Sequence, residues 1–471
     1  MLVIAGAGSG KTLTIIGKIN YLIDNGIKPD EILLVSFTSE TCKSLRRKIS
    51  HNIDIYTFHK LGLKILSDNN KKYNIANDEV LKNIIHHFFY VDVLDNKVLK
   101  RMIVKLTKKN NYDLLLNSKD LYILMLKIEK FIHLFKSRGY DLYNFVIINK
   151  KLKYHLFSYF QNHYFLTIVL NIYMLYEKYL HENNEIDFDD IIIKATKVIK
   201  KGNVKNYKYI MVDEYQDTSY IRFLLIKELV LKTDSSLLAV GDDFQSIYRF
   251  TGCDINIFIN FNRYFPNADI KKITTTYRTS NELIKIAGNF VMKNKKQLRK
   301  CLKSNKSLNN CIKVILFKNN LNILEKIINE IYEKHFTSIL ILGRNNKDLL
   351  KYINSKKFKI NGDKVIYLKN NNIKIRYLTI HKSKGLEDDN VIIINMEDDI
   401  LGFPSKLKND SVFKYVFPKS DNYKYSEERR LFYVALTRSK NYVYILSKIG
   451  RESVFLREIK KYKNVKIMKY D

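Results

Sequence analysis

A chain of 471 residues exceeds what one core of ordinary size organises, and its 46% hydrophobic content is enough for two or more packed domains. No apolar run reaches the ~20 residues of a membrane span; the longest, residues 164–176, is broken by Asn171, so no membrane partner is expected. With 82 basic against 48 acidic residues the formal charge is +34, which suits nucleic acid as a partner, although the Lys-, Asn- and Ile-rich, Gly- and Pro-poor composition is also what an AT-rich coding sequence imposes. Cys42, Cys253, Cys301 and Cys311 lack metal-ligand spacing, and the first residues carry no secretion signal, so a reduced, cytoplasmic protein is expected.

An apolar strand is predicted over residues 2–5, then a Gly-rich turn, then a helix from Thr12 that Gly26 can stop. The turn reads A-G-A-G-S-G-K-T. Glycines let the backbone of Ala5, Gly6, Ala7, Gly8, Ser9 and Gly10 wrap closely with amides toward phosphate oxygens, and the following helix adds its positive end. Lys11 supplies charge to the β and γ phosphates, and the Thr12 hydroxyl is a Mg²⁺ ligand, so ATP and Mg²⁺ are the expected cofactors. The strict pattern opens with Gly where this chain has Ala5.

A second buried strand is predicted over residues 32–37. From about residue 63 to 184 Gly and Pro almost vanish, and Leu121, Ile123, Leu124, Ile128, Phe131, Ile132 and Phe135 recur at helical spacing, which predicts a helical insertion. A strand over 209–212 runs into Asp213 and Glu214. Adjacent carboxylates at the end of a buried strand are costly unless a cation or a reaction uses them. Asp213 is therefore a candidate to hold Mg²⁺ and Glu214 to polarise the attacking water, although most acidic pairs are solvated surface. A strand over 237–240 opens A-V-G-D-D-F-Q-S-I-Y-R-F-T-G. Gln245 is a candidate γ-phosphate sensor, while Tyr248 and Phe250 can either stack on bases, at ~1–3 kcal/mol each, or pack a core. Further strands are predicted over 312–317, 339–342, 375–379, 391–395 and 442–446. Short apolar strands alternating with helices predict an α/β fold with two parallel sheets, the first interrupted by helices.

These segments are joined by S-F-T-S at 36–39, Y-T-F-H-K-L-G at 56–62, I-D-F-D-D at 186–190, T-T-Y-R-T at 275–279, L-T-I-H-K-S-K-G-L-E at 378–387 and E-E-R-R-L-F-Y-V-A-L-T-R at 427–438. In order and wording the set resembles the UvrD/Rep-type superfamily 1 DNA helicases, and the wording around Gln245 and after Ser383 resembles the helicase IV branch.

The resemblance implies two RecA-like P-loop NTPase domains: residues 1–62 with 186–268, carrying an insertion at 63–185, and residues 269–471 without a large extra helical insertion. It implies that Tyr277 stacks on adenine, that Glu387 lies near the ribose and γ-phosphate, and that Arg278 and Arg438, both from the second domain, reach across to the γ-phosphate. Phe37, Thr57, His59 and Phe250 resemble residues of a single-strand path, with Thr379 and His381 on the second domain's side. The implied activity is ATP-dependent translocation on single-stranded DNA with 3′–5′ unwinding of 3′-tailed duplexes, in repair or recombination, by a monomer. The family carries an adenine-reading, glutamine-containing segment before the phosphate loop. This sequence opens on the strand, so either its start is misplaced or the chain is a truncated, non-unwinding, ATP-gated binding protein.

Overall fold

Continuous apolar runs, rather than alternating ones, build the centre of the first sheet. The computed structural model describes residues 1–152, 159–318, 322–408, 410–419 and 421–470. Strands β1 (Leu2–Ala5) and β2 (Ile32–Ser36) are buried at every residue, as strands covered on both faces must be. β3 (Asp54–Thr57) flanks β2. The chain then leaves the sheet through β4 (Asn74–Ile75) and returns through β5 (Glu185–Ile186), a short parallel pair at the neck of the helical insertion. β6 (Tyr209–Val212), β7 (Ser236–Gly241) and β8 (Ile270–Ile273) complete an all-parallel sheet of order β3-β2-β6-β7-β1-β8.

Two boundaries differ from the sequence division. β8 pairs with β1, Leu2 opposite Ile270, so the first sheet continues beyond residue 268. Helix Phe58–Asp68, cut by a boundary at 63, belongs to the first lobe: its Leu61, Ile65 and Leu66 sit in that lobe's core. Gly62 makes this docking possible, because a Cβ there would stand 2.8 Å from Ile191 Cγ2 on helix Phe188–Lys201.

The second sheet contains β9 (Ile312–Phe317), β10 (Ser338–Gly343), β11 (Phe358–Asn361), β12 (Lys364–Tyr367), β13 (Lys374–Thr379), β14 (Asn390–Ile393), β15 (Val443–Lys448) and β16 (Val465–Tyr470), in the order β11-β12-β13-β10-β14-β15-β9-β16. It is mixed, not purely parallel: β11 and β12 form a hairpin that turns at Gly362 (φ +61°), and β12 runs antiparallel to β13. The three strands missing from the sequence reading lie at the two edges, where exposed positions dilute the apolar signal.

Helix Lys119–Ser137 buries Leu121, Leu124, Ile128, Phe131, Ile132 and Phe135 in the insertion's core, while Ile123 faces solvent. Val412, Phe413, Val416 and Phe417 of the second lobe join that core. The seam between the lobes is also apolar: Ala7, Phe244 and Ile247 share a core with Phe432 and Tyr433 of helix Ser426–Leu436. Residues 153–158, inside the predicted helical region, lie outside the described residues. Among the described residues no helix is long and apolar enough to cross a membrane, and the four cysteines are free thiols.

Candidate nucleotide site and nucleic-acid path

The phosphate loop hangs from the carboxyl end of β1. Ala5 is the last strand residue and fully buried, so its side chain belongs to the sheet's core. Gly8 (φ 69°) and Gly10 (φ 85°) take left-handed backbone that other residues resist, and Gly10 caps helix Lys11–Asp24. The Ser9 hydroxyl closes the loop by donating to the Gly6 carbonyl at 2.9 Å. Ala7 does not point its amide at the loop's interior: its N–H donates to the Tyr433 hydroxyl (3.4 Å), and its carbonyl accepts from Thr276 (2.7 Å). The amides of Gly8, Gly10, Lys11 and Thr12 have no acceptor among the described residues. They lie at the positive end of a helix, where anions are stabilised.

β6 delivers the acidic pair beside this loop. Asp213 is 3% exposed, and its N–H donates to Val35. Glu214 adopts φ 49°, a strained conformation for a side-chain-bearing residue. Lys11 Nζ stands 3.4 Å from Glu214 Oε1, and Gln216 Nε2 donates to Glu214 Oε2 at 2.5 Å. Burial, reinforced by Glu214, pushes the Asp213 carboxyl up to about 7. Burial also opposes the charge on Glu214, yet Lys11 and Lys384 outweigh it and hold that carboxyl at about 2. A divalent cation would fit beside Asp213, which makes no salt bridge of its own among the described residues, and beside the Thr12 hydroxyl, which has no hydrogen-bond partner there. Thr12 and Asp213 would hold it.

Gln245 links the lobes. Its Nε2 donates to Asp242 Oδ2 at 2.6 Å, and its Oε1 accepts from Arg438 Nη2 at 3.2 Å. Arg438 is 1% exposed and donates also to the Val434 and Leu386 carbonyls. Burial, then repulsion from Arg278, lowers its guanidinium to about 9, so it stays charged at neutral pH in surroundings that favour an added anion. Arg278 Nε donates to Glu387 Oε2 at 2.6 Å, and Nη1 donates to the Thr437 carbonyl.

Arg278 stands where the lobes join: helix Asn281–Val291, just after it, shares a core with β9 and β10. The Arg278 backbone follows β8, and the Tyr277 N–H donates to the Gly8 carbonyl at 2.9 Å. A Cβ on Gly8 would stand 2.5 Å from that of Arg278. Tyr277 presents its ring to solvent beside the loop, 77% exposed.

Two lysines that the sequence reading did not assign complete the site. Lys300, fully buried, places Nζ 2.5 Å from both Asp242 and Asp243 and 3.7 Å above the Phe244 ring. Lys384 crosses the seam to Asp217 (2.5 Å) and to the Gln245 carbonyl (2.8 Å). Lys384 lies within the phrase H-K-S-K-G-L-E; Lys300 carries no local signal in a lysine-rich chain.

The residues suggested for a strand path fall into two patches. In one, Phe37 meets Phe58 edge-on at 5.1 Å, and His59 meets Phe188 at 5.2 Å. Thr57 caps its helix by accepting from the Lys60 N–H, so its hydroxyl is already engaged. In the other, Phe250 is 44% exposed and stands edge-on to His381 at 5.3 Å, while the Tyr248 hydroxyl donates to the His381 carbonyl across the seam. Tyr248 is thus an interlobe contact rather than an open stacking face. Thr379 ends β13, and its carbonyl accepts from Ser383. Arg222 lies over Phe37 and Phe58, and its charge reaches both His59 and Cys253. Burial holds His59 and His381 at about 4, so both rings are neutral near pH 7.

The family model described as the UvrD/REP helicase N-terminal domain matches residues 1–266. The chain belongs to the UvrD/REP helicase family. A second model of that family, the UvrD-like helicase C-terminal domain, matches residues 360–449, and the two α/β lobes are its RecA-like units. The chain is similar to DNA helicase IV of Escherichia coli (28% identical, over 98% of this chain and 68% of the relative). It is also similar to the ATP-dependent DNA helicase Rep of Buchnera aphidicola subsp. Acyrthosiphon pisum (32%, over 73% and 52%) and to a probable DNA helicase of Mycoplasma pneumoniae (27%, over 95% and 80%). It spans about half the length of that UvrD/REP relative from Buchnera.

Proposed function

We propose that this UvrD/REP family chain is an ATP-dependent motor on single-stranded DNA that unwinds 3′-tailed duplexes in the 3′–5′ direction, in repair or recombination. The observation that carries the reading is the hydrogen bond from Arg438, on the second lobe, to Gln245 on the first, beside Lys11, Asp213 and Glu214. Lys11, Asp213, Glu214 and Arg438 come together from one chain, which suits a monomer.

The loop amides and Lys11 bind the triphosphate, and the Tyr277 ring offers a face for adenine. Mg²⁺, held by Thr12 and Asp213, would neutralise charge on the β and γ phosphates. Glu214, kept ionised by Lys11 and Lys384, accepts the proton of the attacking water, while Gln216 fixes one of its oxygens. Arg438 and Arg278 stabilise charge that develops on the transferring phosphoryl group, an effect worth roughly 10³–10⁵ in rate for an inserted arginine. Gln245 touches Arg438 and opens the segment that ends in Tyr248 and Phe250. Movement of Arg438 with the γ-phosphate is thereby transmitted to the stacking patch shared with His381. Repeated closure and opening of the lobes advances the strand.

ATPase assays with and without single-stranded DNA test the motor, and strand separation on 3′- against 5′-tailed duplexes tests its direction. Folded protein that binds nucleotide but shows no stimulation by DNA would refute the proposal. Stimulation without strand separation would leave an ATP-gated binding protein.

A further inference from the structure

We infer that a recess between the helical insertion and the first lobe takes one nucleobase of the bound strand and reads its amino edge through Glu129. The inference rests on the proposed function and extends it to base preference. The recess has a volume of about 410 Å³. Leu126, Glu129 and His133 line one wall from a single stripe of helix Lys119–Ser137, three and four residues apart. Asp189, Phe250 and Thr251 form the facing wall from the first lobe. That volume falls within the ~300–1,000 Å³ of small-molecule pockets and is ample for a single base.

Three features select a base over a phosphate. Phe250 is 44% exposed at the wall and offers a stacking face, a contact that any base can use. Although the chain carries a net +34, the recess holds two carboxylates, neither of which has a salt-bridge or hydrogen-bond partner among the described residues. The cation on its rim, Lys130, is turned toward the rings of Phe413 and Phe417 at 5.2 and 5.4 Å. Glu129 would repel a phosphate here, whereas a base edge that offers N–H donors would be accepted.

The amino groups of cytosine and adenine provide such donors, and acceptance from cytosine N4 is an established role of acidic side chains. Thymine places a carbonyl oxygen at the corresponding position, which an ionised carboxylate repels. Burial and the nearby Asp187 lift Asp189 to about 7, so it can present a proton to the ring nitrogen beside the amine.

The test compares oligodeoxycytidine with oligothymidine, two weakly stacking strands of equal length, as activators of the full chain's ATPase. Half-maximal stimulation is expected at roughly tenfold lower concentration of the cytidine strand. Glu129→Met, which removes the acceptor and keeps the length of the side chain, is expected to bring the ratio close to one. Equal stimulation of the parent by both strands would overturn the recess and leave the motor intact. A preference that survives Glu129→Met would overturn the role of Glu129. Failure of both strands to stimulate or bind would remove the motor and the recess together.

Discussion

Replacing Lys300 with Met tests whether the motif around Gln245 is held by one buried cation. Lys300, Asp242 and Asp243 are all essentially inaccessible to solvent, and the single ammonium touches both carboxylates. Asp242 in turn holds Gln245 Nε2 at 2.6 Å and the Phe244 N–H at 3.1 Å, and Gln245 meets Arg438. Removing one partner of a buried ion pair costs about 3–5 kcal/mol, because the remaining charge is left without compensation. Here two anions remain against one another, and the pair limits its own cost by taking up a proton. Unfolding in urea is therefore expected to show a loss of roughly 3–5 kcal/mol near neutral pH and a smaller loss in mild acid. A total stability of about 5–15 kcal/mol tolerates such a change. ATPase kcat is expected to fall about tenfold, equivalent to ~1.4 kcal/mol of lost transition-state stabilisation as Gln245 loosens. Adding Asp243→Asn restores the original balance of one net negative charge and should recover more than half of the lost stability. A loss under ~1 kcal/mol, the value of a surface pair, or no recovery in the double variant, would refute the reasoning.

Lys11→Ala and Arg438→Ala are each expected to lower DNA-stimulated ATPase by about 10³-fold; nucleotide binding by Arg438→Ala, followed by equilibrium titration, should persist because the loop amides remain. Phe250→Ala is expected to weaken binding of single-stranded DNA by ~1–3 kcal/mol, read by fluorescence titration, with an unchanged urea midpoint because the ring is already 44% exposed. His381, held near 4 by burial, stays neutral in the fold while the unfolded chain takes up a proton below pH 6.5. Its contribution is thus full above pH 6.5 and is lost as pH falls from 6.5 toward 4, by at most about 3 kcal/mol. The stability difference between the parent and His381→Gln, measured across that window, should shift by up to this amount; a constant difference would contradict it.

Much of the architecture was legible because its signals are local. Buried strands read as apolar runs, so β1, β2, β6, β9, β10, β14 and β15 stood out, and β13 did too although only its Ile375 is buried; β3, β8, β11, β12 and β16, at or next to the sheet edges, mix exposed positions into short runs. The phosphate loop and the Asp213–Glu214 pair were likewise evident, since each follows a strand and has a chemistry that its residue types fix in place. Boundaries were less legible. Helix Phe58–Asp68 looked like part of a helical region until Gly62 was seen against Ile191, and β8 could be assigned to a sheet only by its partner.

By itself the sequence determined two α/β lobes, a helical insertion and a Gly-rich loop between a strand and a helix, because periodicity and motif spacing depend on neighbours along the chain. Only the tertiary structure decided that the backbone beside Arg278 lies against the phosphate loop, that the Ala7 amide is engaged by Tyr433, and that Lys300 lies between Asp242 and Asp243. Such pairings join residues tens to hundreds of positions apart. Their energies come from burial and from charge over a few ångströms, and neither is written in the local run of residues.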